Sequence, residues 1–434
     1  MDAQKRVAQI VTALQGRQLV YFGTRGADAE PLLKIPNFQV IVSLIAPLQA
    51  STVRETCLET LTSERVELDD YTIDHDTRPV VSEMRRALLR EFEGPSALLA
   101  YRPCAFLSSA WFPRSDRVQY LGLFHGHQSC FEHKAWMETQ LAAFGVPVLP
   151  WRFFADEEAD IIREWVAVEP IVLRANRSDG GLGVRFVPNP GALEVQWPSH
   201  GDGFLAVTEY LSDSISLNIN ACVFADGSAS LHGPSVQLIG IPALTSRTFG
   251  YCGNDFGAAG LLEPSILDSF ENLTRLTARW LRSQGYLGVF GVDAIVHKGE
   301  VYLTEVNPRF QGSSLLSARV DGELGRSDVF LENLAAFLGL PAQEQPRLRD
   351  LAAGQPPLAH AVAHNLAGQT VRLTAAPHVP DGVECRLLPD VGVAIPNDCI
   401  TFDAVFPGPI TADGSRLTDE AAAAIGALKQ GVNC

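Results

Sequence analysis

Three polar residues alternate in the segment YLTEVNPRFQGSS, in the second half of the chain. Glu305, Asn307 and Arg309 occupy every second position. Side chains of an extended strand point alternately to its two faces, so a strand would place all three groups on one face. A carboxylate and an amide oxygen beside a guanidinium are suited to binding a divalent cation together with phosphate groups. For each residue taken alone, the alternative is an edge strand with a solvated polar face.

Asp293 supplies a second carboxylate, in the apolar segment GVFGVDAIVHKGE just upstream. This segment ends in a turn at Lys298 and Gly299 before the next extended run, which predicts a β-hairpin. In such a hairpin Asp293 lies across from the region of Glu305. Two carboxylates and the amide oxygen of Asn307 would then converge, and oxygen ligands of this kind suit Mg²⁺. The sequence therefore predicts a magnesium site at these three residues.

A glycine-rich loop lies in the segment EPIVLRANRSDGGLGVRFV, between two predicted strands. The first strand carries Arg174, and the loop contains Ser178, Gly180, Gly181 and Gly183. Glycines let backbone amides approach phosphate oxygens closely, and such a loop can close over them as a flap. It is not a P-loop, because the chain has no GxxxxGK[ST] motif, and not a dinucleotide fingerprint, because a strand rather than a helix follows. A flexible surface turn is the alternative.

A short segment, Glu209–Leu211, separates two further predicted strands in FLAVTEYLSDSISLNINACVF. A strand end that exposes backbone amide and carbonyl groups beside an apolar residue can hold a flat base by its edge. The sequence alone makes this a weak indication. Near the N-terminus, residues 23–26 (GTRG) follow another strand and are either a phosphate-binding turn or an ordinary tight turn, of which the tight turn is favoured.

The composition is typical of an α/β enzyme. The chain has 434 residues, of which 46% are apolar and 19% charged, enough for two or three domains with a large core. Its net charge of −16 disfavours binding to a nucleic-acid backbone. The eight cysteines form no CxxC pair and are expected to be reduced thiols. No signal peptide or transmembrane segment is recognised, so we expect a cytoplasmic location without membrane contact.

The order of predicted elements divides the chain into regions. Strands and helices alternate over the first 130 residues, which predicts an open, mostly parallel sheet. Residues 234–256 are rich in glycine, proline and aromatic residues and are expected to be a substrate loop or a surface loop. A linker is expected near 341–357, followed by short strands and a final helix. His360 and His364 have no third ligand nearby, so structural histidines are favoured over a metal site.

The motifs follow one another in the order found in the ATP-grasp superfamily, which the chain resembles over residues 131–320. These motifs are a helix with Lys134, a strand with Arg174 and a glycine flap, a Glu-Tyr-Leu hinge, Gly-Val-Asp and Glu-Val-Asn-Pro-Arg. The resemblance implies an α/β (α+β ATP-grasp) fold with a Rossmann-like domain over 1–130 and an ATP-grasp domain over 131–340. The latter would consist of a small lobe, 131–208, and a large lobe, 209–340. A C-terminal α+β domain would span 341–434.

The resemblance also implies a role for each matching residue. Cations would face the phosphates of ATP beneath the flap, and the hinge would hold the adenine. The residues implied to bind ATP are Lys134, Arg174, Ser178, Gly180, Gly181, Gly183, Glu209, Tyr210, Leu211 and Asp213. The implied ligands of one or two Mg²⁺ ions are Asp293, Glu305 and Asn307, and the implied catalytic cations are Arg309 and Arg174.

Two positions depart from the pattern of the superfamily. Arg174 stands where many members have lysine, which keeps the charge but adds a planar fork of donors. Many members have a glutamate after the hinge that contacts the ribose, whereas this chain reads Ser-Asp-Ser-Ile-Ser over 212–216. Asp213 or the neighbouring hydroxyl groups could take its place, and the ribose contact stays open.

The segments NPRFQGSS and PSVQL…YCGNDF, with the extra C-terminal region, are similar to a group of natural-product ligases. This group includes the pheganomycin peptide ligase and the butirosin-pathway ligase that acts on a carrier protein. The resemblance implies an ADP-forming carboxylate–amine ligase that works through an acylphosphate. Its donor would be an amino acid or another small carboxylate, its acceptor an amine, a peptide or a carrier-bound group, and its assembly a homodimer.

Two other classes of function stay open at this point. The first is a nucleotide-binding protein without ligase activity, although retention of Asp293, Glu305, Asn307 and Arg309 argues against a degenerate site. The second is a carboxylating or phosphoryl-transferring relative. No biotin-carrier segment and no swivelling phosphohistidine domain is recognised in the sequence, which disfavours that class.

Overall fold

The computed structural model describes residues 2–65, 73, 76–107, 112–176, 180–197 and 203–432. Strands of these residues form three main sheets, with helices packed between and outside them. Within the described part of the chain, no helix is both long and apolar enough to cross a membrane. The described α-helices include Ala3–Leu14, Leu58–Thr62, Pro79–Glu91, His125–Gln128, Lys134–Ala143, Ala159–Val166, Leu193–Gln196, Phe256–Ala259, Pro264–Ser283, Ser314–Glu323, Val329–Phe337, Leu348–Gly354 and Asp419–Val432. Shorter 3-10 helices span Gly26–Lys34, Phe112–Arg114, Ser129–Glu132, Asp156–Glu158 and Pro190–Ala192.

The N-terminal sheet is parallel, as predicted from the alternation of strands and helices. Its described strands, in the order β3-β2-β1-β4-β5, are β1 Gln18–Arg25, β2 Phe38–Ile45, β3 Arg54–Cys57, β4 Ser96–Ala100 and β5 Val118–Tyr120. Helix Ala3–Leu14 contributes buried Ile10 and Leu14 to the core on one face, and helix Pro79–Glu91 contributes Met84 and Leu88 to the core on the other. Burial on both faces is characteristic of parallel sheets and explains why β2 and β4 are largely apolar, whereas β3, at the edge of the sheet, is polar and partly exposed.

A second, antiparallel sheet carries the predicted flap. Its described strands, in the order β6-β9-β7-β8, are β6 Arg152–Ala155, β7 Ile171–Ala175, β8 Val184–Val187 and β9 Phe204–Glu209. The predicted hairpin around the glycine-rich loop is confirmed, since Arg174 pairs with Val184. Helix Ala159–Val166 closes one face of this sheet through buried Ile162 and Val166.

The largest sheet contains the predicted metal hairpin. Its described strands are β10 Ile215–Val223, β11 Ala229–Leu231, β12 Ser235–Ile239, β13 Tyr251–Asp255, β14 Gly288–His297, β15 Glu300–Asn307, β16 Ala359–His364, β18 Glu384–Arg386 and β20 Ile400–Phe406. They lie side by side in the order β15-β14-β10-β12-β13-β16-β20-β18, and β11 pairs with β10. A small pair, β17 Val371–Arg372 and β19 Ala394–Ile395, lies apart. Asp293 is directly opposite Glu305, so the predicted hairpin and its facing carboxylates are confirmed.

Three sequence predictions need correction. Residues 234–256 are not one long loop, because β12 and β13 lie inside the largest sheet and only their connection is a loop. The expected linker near 341–357 contains helix Leu348–Gly354, which packs with buried Leu348 and Leu351 against the core of that sheet. Residues 23–26 do not form a tight turn, since β1 runs through Arg25 and a 3-10 helix begins at Gly26.

The largest sheet continues across residue 340. Strand β13 pairs with β16, and β16 pairs with β20, so strands from the region predicted as a C-terminal domain extend the sheet that holds the metal hairpin. This continuity places side chains of the C-terminal region beside the predicted site. The domain boundaries themselves stay a prediction.

Candidate active site

One cavity of about 920 Å³ lies between the flap sheet and the largest sheet. Most of the predicted site residues line it, although they come from distant parts of the sequence. The predicted residues in its lining are Arg174, Gly180, Gly181, Glu209, Tyr210, Leu211, Asp213, Asp293, Glu305, Asn307 and Arg309. Lys134 and Gly183 are not part of the lining, and Ser178 lies outside the described residues.

The carboxylate of Asp293 accepts hydrogen bonds from three amides. Asn218 Nδ2 donates to Oδ1 at 2.6 Å, Gln237 Nε2 donates to Oδ1 at 3.0 Å, and Asn307 Nδ2 donates to Oδ2 at 3.0 Å. The sequence analysis missed Asn218 and Gln237, which lie on neighbouring strands β10 and β12. The alternation of Asn218 and Asn220 within an apolar strand was the available signal.

A further amide, that of Gln311, ties this network together. Its Oε1 accepts from Asn218 at 2.8 Å and from Asn307 at 3.2 Å, and its Nε2 donates to Asn220 Oδ1 at 3.2 Å. A Cβ atom at Gly291 would lie 1.9 Å from the Gln311 side chain, so glycine is required there to admit the amide. The network fixes the direction of the Asp293 and Asn307 side chains before any ligand binds.

Burial and the facing carboxylate of Glu305 raise the pKa of Asp293 to about 7, against the lowering effect of the amide donors. Two carboxylates that face each other repel, so a cation bound between Asp293 and Glu305 would be stabilised. The amide nitrogen of Asn307 donates to Asp293 and Gln311. Its amide oxygen accepts no hydrogen bond within the described residues. Two carboxylates and this oxygen fit the oxygen preference of Mg²⁺. Within the described part of the chain, no three His, Cys, Asp or Glu side chains form a group that could hold a metal ion.

Two cations lie beside the metal hairpin. Lys134, at the start of its helix, is buried and forms an ion pair with Glu305. The guanidinium of Arg174 stacks on Trp151 with 4.1 Å between its central carbon and the ring centroid. It donates from Nη2 to Glu138 at 2.5 Å, and its Nε finds no acceptor among the described residues. On the other arm of the planar fork, Nη1 donates to the backbone oxygen of Thr304 at 2.9 Å, so both arms that distinguish Arg174 from lysine already contact protein groups.

Arg309 is held by a carboxylate that the sequence analysis did not identify. Glu132 Oε1 lies 4.0 Å from Arg309 Nε and 3.2 Å from Arg102 Nη2. Burial acts to raise the pKa of Glu132, but Arg102 and Arg309 outweigh it and hold that pKa below its usual value. Glu132 therefore stays ionised and positions Arg309 at the end of β15.

The predicted hinge has the backbone geometry of an edge-binding site. Tyr210 N–H donates to Pro170 O at 2.9 Å, which turns this amide towards β7. Because successive peptide groups of an extended chain point in opposite directions, the carbonyl of Glu209 and the amide of Leu211 turn the other way. Both residues line the cavity. The Tyr210 ring packs on Phe186 with 4.5 Å between centroids, which fixes the hinge against the flap hairpin.

The described part of the flap lies against the connection between β12 and β13. Gly180 and Gly181 have φ values of 54° and 77°, in the left-handed region that favours glycine. A Cβ atom at Gly181 would lie 2.1 Å from Phe249 O, whereas one at Gly180 would have no neighbour closer than 3.6 Å. Both glycines thus need a left-handed backbone conformation, but only Gly181 lacks the space for a Cβ atom.

We expect Gly181→Ala to raise KM for ATP by about tenfold or more, and Gly180→Ala to have a smaller effect. In both variants, placing alanine in the left-handed region costs about 1 kcal/mol of folding free energy. Only Gly181→Ala must also displace the backbone carbonyl of Phe249. Steady-state kinetics with varied ATP measures the difference. Equal KM values for the two variants would show that close packing of the flap on Phe249 does not matter for nucleotide binding.

We expect Asp293→Asn to stabilise the protein in the absence of nucleotide and metal, by about 1 kcal/mol at about pH 8 and by less at about pH 5. The pKa of Asp293 is raised above its ordinary value, so the folded state binds the extra proton between about pH 4 and 7. Stability from this group is therefore lost as the pH rises through that range. Urea unfolding with a chelator at the two pH values tests this. A stability gain independent of pH would contradict it.

Comparison with known proteins supports the same fold. Residues 166–313 match the family model described as an ATP-grasp domain. No curated protein sequence matches the chain significantly. Biotin carboxylase from Campylobacter jejuni superposes with a TM-score of 0.63 at 15% identity, covering 91% of this chain and 89% of that one.

Two further structures extend the comparison. The biotin carboxylase domain of Hydrogenobacter thermophilus 2-oxoglutarate carboxylase, solved with MgADP and bicarbonate, gives a TM-score of 0.62 at 15% identity and covers 90% of this chain and 86% of that one. N5-carboxyaminoimidazole synthetase from Staphylococcus aureus, solved with ADP, gives 0.53 at 10% identity with 93% of each chain covered. The protein therefore has the ATP-grasp fold.

Proposed function

We propose, from this fold and the contents of its cavity, that the protein is an ATP-dependent carboxylate–amine ligase. It would form an amide or peptide bond through an acylphosphate and release ADP and phosphate. The observation that carries the proposal is the single cavity that joins a base-binding hinge, a glycine flap and the set of Asp293, Glu305, Asn307 and Arg309. Each part alone is common, but their convergence on one space favours phosphoryl transfer.

In this proposal the cavity orders ATP along its length. Glu209 O and Leu211 N–H would bind the adenine edge, and the Tyr210 ring would support the hinge from the flap side. Arg174 lines the cavity with both Nη atoms bound to Thr304 O and Glu138, and would place its positive charge beside the phosphates. Lys134 would stay at Glu305 until the nucleotide and metal arrive, and would then be shared with the phosphates. Asp213, which lines the cavity beyond the hinge, is the candidate ribose contact.

Asp293, Glu305 and Asn307 are the residues that would hold Mg²⁺, which when bound would neutralise phosphate charge and orient the terminal phosphoryl group. Arg309 lies next to them at the end of β15. Its fixed guanidinium would donate to the equatorial oxygens of the transferring group, where negative charge is spread in the transition state. Glu132 faces this guanidinium at 4.0 Å, and Arg309 Nη1 donates to the backbone oxygen of Phe310 at 3.1 Å, so both groups help to orient it.

The proposed chemistry has two steps. A carboxylate oxygen of the donor attacks the γ-phosphorus of ATP, the bond to the bridging oxygen breaks, and ADP leaves with its electron pair. The amine of the acceptor then forms a bond to the acyl carbon, and phosphate leaves. The flap, lying against Phe249, would keep water away from the acylphosphate between the two steps.

The donor proposed is an amino acid or another small carboxylate, and the acceptor is an amine, a peptide or a carrier-bound group. The similarity of NPRFQGSS and of the β12–β13 region to natural-product ligases supports biosynthesis of a peptide or amino-acid-derived product. A cytoplasmic homodimer is part of the same proposal. The polar set on and beside strands β14 and β15 is complete, which favours an active ligase over a nucleotide-binding protein that has lost its activity. This set is Asp293, Glu305, Asn307 and Arg309.

The acylphosphate is tested by following oxygen. The protein is incubated with ATP, Mg²⁺, hydroxylamine and pooled amino acids carrying ¹⁸O in their carboxyl groups, and the released phosphate is analysed by mass spectrometry. Attack of the carboxylate on phosphorus transfers one labelled oxygen to phosphate. Unlabelled phosphate together with hydroxamate formation would overturn the proposed first step.

A further inference from the structure

The cavity wall continues at Tyr251 into a buried cluster to which no role has been given so far. Tyr251 lies on β13 and lines the cavity beside Gly312. A Cβ atom at Gly312 would lie 2.7 Å from the Tyr251 ring, so the glycine leaves room for the ring at this place. The residue is half-buried, with its ring in the wall. Its hydroxyl oxygen lies 2.9 Å from the place of a Cβ atom at the cavity-lining Gly312, so it borders the cavity while it faces His360 on β16. It therefore connects the cavity to the protein interior.

A chain of polar contacts runs inward from the Tyr251 hydroxyl. This hydroxyl donates to Asn254 Oδ1 at 2.6 Å and lies 3.3 Å from His360 Nε2. On the other side of the ring, His360 Nδ1 lies 2.9 Å from Asp403 Oδ1. His360 is 1% exposed and Asp403 is 3% exposed. Because a hydroxyl hydrogen can rotate, Tyr251 can donate either to Asn254 or to His360.

Charges around this chain come from all three regions of the sequence. Arg386, on β18, donates a hydrogen bond from Nη2 to Asp403 Oδ2 at 2.5 Å. Burial opposes ionisation of Asp403, but His360 and Arg386 outweigh it and place the pKa of this carboxyl well below its usual value. Near Tyr251 lie Arg25 and Asp28 of the N-terminal region, paired at 2.8 Å.

The phenol and the carboxylate therefore have different protonation states at neutral pH. Burial raises the pKa of Tyr251 far above its usual value, although Arg25 acts against this, so the phenol keeps its proton. Tyr101 and Asp293 also contribute to the field at this hydroxyl, and both raise the pKa further. Asp403, by contrast, is an anion placed to stabilise a positively charged imidazole. This is the arrangement of an orienting carboxylate behind a histidine base.

We propose that Tyr251, His360 and Asp403 form a proton relay that deprotonates the acceptor amine, an inference that rests on the proposed ligase function. The acceptor ammonium gives a proton to the Tyr251 oxygen while the phenolic proton passes to His360 Nε2. The amine lone pair then forms the bond to the acyl carbon, and phosphate leaves with the electron pair of the broken carbon–oxygen bond and takes up the second proton that the amine nitrogen loses. The imidazolium, paired with Asp403, later returns its proton to solvent.

In this relay Tyr251 is the catalytic residue that touches the substrate, while His360 and Asp403 act through it. The neighbouring histidine of the same strand provides a contrast. His364 is also buried, but its Nδ1 contacts the backbone oxygen of Leu244 at 3.0 Å. Burial comes first among the causes that lower its pKa. It serves as a matched control for removing a histidine from β16.

The test uses two small acceptors of equal size and different basicity. Hydroxylamine is unprotonated at neutral pH and needs no base, whereas methylamine is protonated and does. The wild-type protein, His360→Gln, Tyr251→Phe and the control His364→Gln are each assayed with ATP, Mg²⁺ and pooled amino acids. Hydroxamate and methylamide are quantified from about pH 7 to about pH 10.

We expect His360→Gln and Tyr251→Phe to lower methylamide formation about 10²-fold more than hydroxamate formation near neutral pH. The loss should shrink as the pH approaches the pKa of methylamine, and His364→Gln should leave the ratio of the two products unchanged. Hydroxamate formation by the variants also shows that they fold.

A parallel loss of both products, or a loss independent of pH, would overturn the relay and leave the ligase proposal standing. A wild-type protein that makes hydroxamate but no methylamide near neutral pH would also overturn the relay, because a working base should activate the protonated amine. No hydroxamate from the wild-type protein with any acid would count against the ligase function itself, and the relay would fall with it.

Discussion

We expect Glu305→Gln to lower ADP formation by about 10³-fold while the protein keeps its fold. Glu305 lies on β15, at the edge of the largest sheet, and its side chain is 27% exposed. Glutamine keeps the size of the side chain and an oxygen that can accept from Lys134. The charge that would bind Mg²⁺ is lost, so transition-state stabilisation should be lost with little cost in stability.

Rates of ADP release at saturating ATP, with thermal unfolding as a measure of folding, check this expectation. Glu300→Gln is the matched control, because Glu300 is an exposed carboxylate at the other end of β15. This control should keep the rate and unfolding temperature of the wild-type protein. A Glu305→Gln variant that releases ADP within about tenfold of the wild-type rate would remove Glu305 from the metal site.

The second large effect is expected at Arg309. Arg309→Ala should lower kcat by about 10²- to 10³-fold and change KM for ATP by less than about threefold. The guanidinium is fixed by Glu132 near the predicted metal ligands, so its contacts should matter most when charge spreads over the transferring phosphoryl group.

Two further variants separate charge from geometry at this position. Arg309→Lys keeps the charge but loses the planar fork, so we expect a kcat between those of the wild-type protein and the alanine variant. Glu132→Gln should give a smaller loss of kcat, because it acts on Arg309 only through its placement, although it also removes the charge that faces Arg102. An unchanged kcat with a raised KM for ATP in Arg309→Ala would assign the residue to ground-state binding instead.

The metal hairpin was predictable because its information is local. Alternating side chains, an apolar strand and a Lys-Gly turn specify that the two strands pair. The turn alone would place Asp293 opposite Thr304, and a bulge between Asp293 and Ala294, which the sequence did not predict, brings it opposite Glu305. The flap hairpin was predictable for the same reason. The family resemblance added the order of the parts, which periodicity alone does not supply.

The amide network around Asp293 was not predictable, because it depends on how distant strands align. Asn218, Gln237 and Gln311 are polar residues within or beside apolar strands, and nothing in their local sequence says that they meet at one carboxylate. The same is true of His360 and Asp403, which lie on β16 and β20 and meet only because these strands pair.

The misinterpretation of residues 234–256 has a physical cause. Glycine and proline are usually signs of a loop, but here glycines with positive φ lie where strands approach closely. Gly253 has a φ of 127°, and a Cβ atom there would lie 2.0 Å from the carbonyl oxygen of His360. Glycine at this position therefore permits the pairing of β13 with β16 instead of breaking a strand.

The central claim is that the cavity transfers the γ-phosphoryl group of ATP to a carboxylate. Its most direct test is the identity of the nucleotide product: the protein is incubated with Mg²⁺, ATP, hydroxylamine and pooled amino acids, and ADP, AMP and hydroxamate are quantified, with Glu305→Gln as the control. We expect ADP and hydroxamate in equal amounts from the wild-type protein, and neither from the control. Formation of AMP in place of ADP would contradict the account and indicate adenylation of the acid.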